Sequence, residues 1–198
     1  MKVFLSWSGS RSKEVAEILG DWLGDVIQAV EPWISSDISK GTRGDEKIAT
    51  ELKKAKVGII CVTPENLKEN WIMFEAGALS NTDASVCTFL LDLKPTEIEP
   101  PLAQFQHTQV EKKDVQKLVV DINHVVEKVG ERSLDAKRLD NIFNRRWPDL
   151  EKELNKIVKS EAKPYKEIRS DRELLEEILE IVRRQGEVPG FFGGTSLF

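Results

Sequence analysis

At 198 residues, with 40% hydrophobic and 32% charged content, the chain has room for one α/β domain with a solid core plus an extension. Its net charge of −5 argues against general binding to nucleic acid or an anionic membrane surface, and its apolar runs fall short of the roughly 18 residues that span a bilayer. Met1-Lys2-Val3-Phe4-Leu5 is too short for a signal peptide and lacks a small-residue cleavage site, so cytoplasmic residence is the expectation. Cys61 and Cys87 both sit inside apolar strand-like runs and read as buried reduced thiols rather than a disulfide or metal pair.

Lys2-Val3-Phe4-Leu5-Ser6-Trp7 reads as a buried strand, because its apolar residues run together instead of alternating. A turn of small polar residues, Ser8 to Ser12, follows. Val15, Ile18, Leu19, Trp22, Leu23, Val26 and Ile27 then mark a 3.6-residue helical period. Strand, Ser/Gly loop and helix make the first half of a βαβ unit, whose loop lies at the carboxyl end of the strand, where ligands bind in parallel sheets. The loop matches neither a P-loop nor a G-x-G-x-x-G fingerprint. A second strand covers Ala29 to Ser35, and Pro32 makes it an edge or irregular one. Ser36 to Gly44 is a polar loop with two glycines and one isolated aliphatic residue, Ile38. Asp45 to Lys56 reads as a helix, and Val57 to Thr63 as a buried third strand.

After the turn signal Thr63-Pro64-Glu65-Asn66 comes Asn70-Trp71-Ile72-Met73-Phe74-Glu75-Ala76-Gly77-Ala78-Leu79-Ser80, read as a helix with Asn70 as N-cap. Trp71 and Glu75 are four residues apart and share a face. Glu75 is the one carboxylate in an otherwise apolar or small run, and two readings fit it. A buried carboxylate persists because it is paired, hydrogen-bonded or used; a half-exposed one near a helix start is favoured by the helix dipole.

Ser85 to Asp92 is a fourth strand, and the segment Lys94 to Leu102, with three prolines, is expected to be a loop. Phe105 to Val110 alternates like a short fifth strand, and Val115 to Val129 carries a helical period. The first ~130 residues therefore read as an α/β open parallel sheet with helices on both faces. From Gly130 the character changes. Two charged helices are expected, Ser133 to Arg146 and Pro148 to Ser160, with Pro148 in a first helical turn. A linker follows, then a helix opened by the Ser170/Glu173 capping box, then a tail with Phe191, Phe192 and Phe198. His107 and His124 read as structural or surface residues, and no metal site is expected.

In this order, four pieces make the chain similar to a bacterial-type Toll/interleukin receptor (TIR) domain. Val3 to Ser8 resembles the first-strand box, and Ser36-Asp37-Ile38-Ser39-Lys40-Gly41 resembles the BB loop. Ala55 to Pro64 resembles the third strand and its exit, and Trp71-x-x-x-Glu75 resembles the catalytic helix. The resemblance covers about residues 1–130 and implies a flavodoxin-like fold; residues 131–198 fall outside it as a helical extension with a flexible tail. It also implies cleavage of the nicotinamide–ribose bond of NAD, bound as substrate with no further cofactor, in antiphage defence or signalling. By position, Glu75 is then the catalytic glutamate, with Trp71 beside the nicotinamide ribose. Ser6, Trp7, Ser8 and Gly9 line the pocket, with Ser36 and Asp37 from the BB loop. Some relatives place arginines just after the first-strand box; here Ser8 and Gly9 stand there, and Arg11 is the nearest substitute. Self-association through the Ser36–Gly44 loop is the implied partnership. Two alternatives stand beside the NAD-cleaving enzyme: a non-enzymatic TIR adaptor that acts by self-association, and a nucleoside deoxyribosyltransferase-like enzyme. The loop pattern and the Trp71–Glu75 spacing weigh against the second.

Overall fold

A computed structural model of the protein describes residues 1–34, 54–67 and 84–160. The expected Ser36–Gly44 loop, the expected helix from Asp45 as far as residue 53, the expected helix carrying Trp71 and Glu75, and the expected helix and aromatic tail after Ser170 lie outside the described residues.

The most continuous apolar run takes the most enclosed place. Val57–Val62 (β3) is buried at every position and lies at the centre of a five-stranded sheet in the order β2-β1-β3-β4-β5. Its neighbours are β1 (Lys2–Ser6) and β4 (Ser85–Leu90), with β2 (Glu31–Ile34) and β5 (Gln106–Gln109) outside them. All four pairings are parallel, with Phe4 opposite Gly58 and Ile60 opposite Thr88. Unbroken apolar runs are what a parallel sheet covered on both faces requires. Pro32 cannot donate to a ladder, and among the described residues β2 pairs only with β1. This order is flavodoxin-like, as the βα alternation implies.

Alternate side chains leave the sheet in opposite directions and feed two cores. Val3, Leu5, Val57, Ile59, Cys61 and Phe89 join one; Phe4, Trp33, Ile60, Val62 and Leu90 join the other, with Ile98 and Leu102. Phe4 stacks on Trp33 at 5.2 Å between ring centroids. The first core is closed by α1 (Ser10–Val26), α2 (Lys112–Lys128) and α3 (Ala136–Lys159). The α1 helix packs directly on the strands at Gly20, where a methyl group would sit in ordinary van der Waals contact with Pro32 Cβ at 3.4 Å and Leu5 Cδ1 at 3.6 Å. No helix among the described residues is long and apolar enough to cross a membrane.

The α2 helix ends in a Schellman motif. Gly130 takes φ 77°, Glu131 N–H donates to the Val126 carbonyl, and Gly130 N–H donates to that of Glu127. The Asn123 side chain then pins the connection, donating to the Leu134 carbonyl at 2.8 Å and accepting from its N–H at 2.9 Å.

Two expectations are corrected here. The residues expected to form two helices around Pro148 form one, capped by the Asp135 carboxylate accepting from Arg138 N–H at 2.9 Å. A proline inside a helix removes one backbone bond and crowds the preceding turn. The apolar stripe Leu139, Phe143, Trp147, Leu150, Leu154, Ile157 nevertheless runs straight across it, buried throughout. Phe143 meets Trp22 of α1 edge-on and stacks against Trp147, both at 5.9 Å, and the Trp22 indole N–H donates to the Arg146 carbonyl at 2.9 Å. Docking of the whole stripe outweighs the lost bond. The proline-containing segment after β4 is also not wholly loop: Pro95–Glu97 and Leu102–Gln104 are single 3₁₀ turns, the first with proline where its missing N–H is harmless.

Candidate functional site

β1 sits between β2 and β3 in the sheet, so the chain leaves β1 toward one side and later returns on the other. The crevice beyond the carboxyl ends of two strands at such a reversal is where open α/β sheets bind ligands. Ser6, the last residue of β1, is fully buried; Trp7 and Ser8 are half-buried. Gly9 turns the chain into α1 with φ 86°, a conformation that favours glycine. Ser8 N–H donates to Ser12 Oγ at 2.9 Å, and the Ser12 hydroxyl donates back to the Ser8 carbonyl. This reciprocal pair ties the loop to the helix, which begins at Ser10, so Arg11 belongs to its first turn. Lys13 Nζ lies 5.6 Å from the centre of the Trp7 ring, a cation–π contact.

The exits of β3 and β4 lie beside this turn, because Val62 is opposite Leu90 and Leu91 N–H donates to the Val62 carbonyl at 2.9 Å. The exit of β3 is fixed by buried Asn66, which accepts from Thr63 N–H at 2.8 Å and donates to the Cys61 carbonyl at 3.0 Å. The guanidinium of Arg11 reaches across both exits. One terminal nitrogen donates to the Glu65 carboxylate, and the other lies 3.7 Å from Asp92 Oδ2. Its Nε is buried and has no hydrogen-bond partner among the described residues. Burial by itself pushes the Glu65 carboxyl up; hydrogen bonds from Arg11 and Thr63, with the Arg11 charge, outweigh it and hold the group below its ordinary 4.5.

Five of the expected site residues, Ser6, Trp7, Ser8, Gly9 and Arg11, thus stand together at the carboxyl edge of the sheet. Ser36, Asp37, Trp71 and Glu75 lie outside the described residues. Glu65 and Asp92 were not anticipated. The available signal was topological: each follows closely on a buried run, and adjacent parallel strands deliver their exits to one place.

Elsewhere the reactive side chains have ordinary settings. Burial, reinforced by the charge of Asp121, pushes the Cys87 thiol up to about 12, and neither Cys61 nor Cys87 is in a disulfide. His107 Nδ1 is 2.7 Å from Thr88 Oγ1, and burial pulls its pKa down. No group of three His, Cys, Asp or Glu side chains among the described residues is arranged to hold a metal ion. Two grooves of about 600 and 470 Å³ run along α2, and neither is lined by the Ser6–Arg11 segment.

Residues 3–119 match the family model described as TIR domain. Among solved structures, the chain is similar to the TIR domains in the activated Roq1 resistosome directly recognizing the pathogen effector XopQ. The two are 11% identical, with a TM-score of 0.41, over 91% of this chain and 98% of that one. No curated protein matches.

Proposed function

This chain belongs to the TIR domain family, and from that premise we propose that it is an NAD nucleosidase, breaking the nicotinamide–ribose bond to give nicotinamide and ADP-ribose or a cyclic isomer. The observation that carries the proposal is the extent of the match. Residues 3–119 take in the Ser6–Arg11 turn, the Ser36–Gly44 loop and Trp71-x-x-x-Glu75, in the order that resembles the NAD-cleaving members.

The chemistry needs one carboxylate. Nicotinamide is attached to the ribose through a cationic ring nitrogen: as the C–N bond breaks, its electron pair goes to that nitrogen and neutralises it, so no general acid is required. The ribose is left as an oxocarbenium ion, as in glycoside hydrolysis. In this reading Glu75 hydrogen-bonds the ribose hydroxyls and faces the developing positive charge, where a carboxylate in a low-dielectric site is most effective. Trp71 supplies a flat wall. Water then adds to C1′ and gives up a proton, or an adenine nitrogen of the same molecule takes its place and closes the cyclic product. The biological setting that fits is antiphage defence or signalling, with self-association through Ser36–Gly44.

The test is nicotinamide release from NAD by purified protein, beside Glu75→Gln. The expected result is turnover in wild type and its loss in a variant with an unchanged circular-dichroism spectrum. A folded Glu75→Gln protein that turns over NAD like wild type removes Glu75 from the mechanism. Wild type that leaves NAD intact at every protein concentration favours the adaptor reading.

A further inference from the structure

We propose that Arg11 is a positioning residue, a clasp that ties the chain leaving β3 and the chain leaving β4 to the first turn of α1 and so holds the rim of the crevice in one arrangement. The proposal rests on the NAD-cleaving reading of that crevice.

Arg11 lies on the helix entered from β1, Glu65 on the turn after β3, and Asp92 just after β4. These strands are neighbours, and β1 and β3 flank the reversal in strand order. One guanidinium therefore joins three chain segments that have no covalent reason to keep a common spacing.

Burial then decides what kind of contact this is. The Arg11 side chain is only 10% exposed, whereas those of Glu65 and Asp92 are 38% and 54% exposed. An ion pair between wholly exposed groups contributes little. Here the cation is the buried member, and a buried charge that loses its partners is costly. The restoring force acts on the loops: the two carboxylates are drawn toward a group that the helix holds in place. Asp92 sits at φ 58°, a left-handed conformation that few non-glycine residues adopt and that Asp tolerates.

Side-chain shape explains why the residue is arginine. The planar fork presents two terminal nitrogens in fixed directions, and here they serve two carboxylates from different loops. A lysine ammonium is a single point charge on a flexible stem. Charge balance matters as well. Among the described residues one cation faces two carboxylates, which offset its charge toward a substrate phosphate. The sequence resemblance made Arg11 the nearest substitute for the arginines that some relatives place after the first-strand box. The geometry gives it different work, acting on the reaction through the loops it holds. Catalysis is sensitive to such placement, since misplacing the reacting groups by about 1 Å costs on the order of a hundredfold in rate.

The two roles predict opposite behaviour, which an experiment can separate. Arg11→Met, Arg11→Lys, Glu65→Ala and the double variant Arg11→Met/Glu65→Ala are compared with wild type. The readouts are steady-state NAD cleavage and amide hydrogen exchange over residues 61–67 and 90–93. For a clasp, Arg11→Met and Glu65→Ala each lower kcat about tenfold to a hundredfold with KM nearly unchanged, and Arg11→Lys does not restore it. The double variant is no worse than Arg11→Met, because the interaction is already gone. Exchange quickens in both segments in Arg11→Met, while β1 and the second half of α1 keep their protection. A phosphate ligand gives another pattern: Arg11→Met raises KM at constant kcat, and Glu65→Ala lowers KM by freeing the cation. That pattern overturns the proposal, and so does exchange over 61–67 and 90–93 that Arg11→Met leaves unchanged. The exchange arm needs no turnover. Wild type that leaves NAD intact therefore refutes the function proposed above, while exchange still decides the clasp.

Discussion

Replacing Phe143 by alanine tests whether α3 is part of the domain's own core. Phe143 is fully buried, packed edge-on to Trp22 of α1 and face-on to Trp147, both at 5.9 Å between centroids. Truncating a buried phenylalanine costs about 3–5 kcal/mol from lost transfer energy and the cavity left behind, and the two aromatic pairs put this site toward the upper end, about 4–5 kcal/mol. In a domain of this size about 1 kcal/mol moves Tm by roughly 2–4 °C, so a fall of about 8–20 °C is expected. Urea unfolding followed by far-ultraviolet circular dichroism and by tryptophan fluorescence measures it. The two probes should move together, because fluorescence reports on Trp22 of α1, Trp33 of β2 and Trp147 of α3, and dichroism on all helices. Glu151→Ala, an exposed change on the same helix, is the control and should shift stability by no more than about 0.5 kcal/mol. A Phe143→Ala loss below about 1 kcal/mol, or a separate transition for α3, would show that the helix is an appendage and that its packing on α1 adds little.

Two further outcomes are expected. If the Ser36–Gly44 loop joins neighbouring domains, specific NAD-cleaving activity rises with protein concentration, and Ile38→Asp or Gly41→Pro reduces it in a folded protein; a concentration-independent rate with both variants fully active refutes the loop's role. On acidification, Glu65 and His107 act with the same sign, because both pKa values lie below their ordinary 4.5 and 6.5. Each contributes stability that is complete above its ordinary value and is lost as pH falls through its lowered one. His107→Gln should therefore flatten the stability–pH curve just below 6.5, and Glu65→Gln should flatten it below 4.5. Unchanged curves in denaturant titrations across that range would remove the sites from the acid response.

Much of the molecule follows from local pattern. The apolar runs at Val3–Leu5, Val57–Val62 and Phe89–Leu91 can only be satisfied by burial, and their alternation with helical periods requires parallel pairing. Pro32 places β2 at an edge because a proline has no donor to give a second neighbour. The strand–turn–helix around Ser6 to Arg11 was legible for the same reason: small residues, and a glycine where φ must be positive, mark the turn.

What the chain could not reveal locally is which distant groups meet. Pro148 is a local signal for a helix boundary, and it was overridden by a stripe of six buried side chains docking on α1, a contact made across 124 residues between Trp22 and Arg146. Arg11 is one charged residue among many until strand order brings Glu65, 54 residues away, to its side. Hydrophobic period and turn chemistry act between near neighbours and are written in the sequence, whereas an ion pair or an aromatic contact depends on distances that exist only after the sheet has chosen its order.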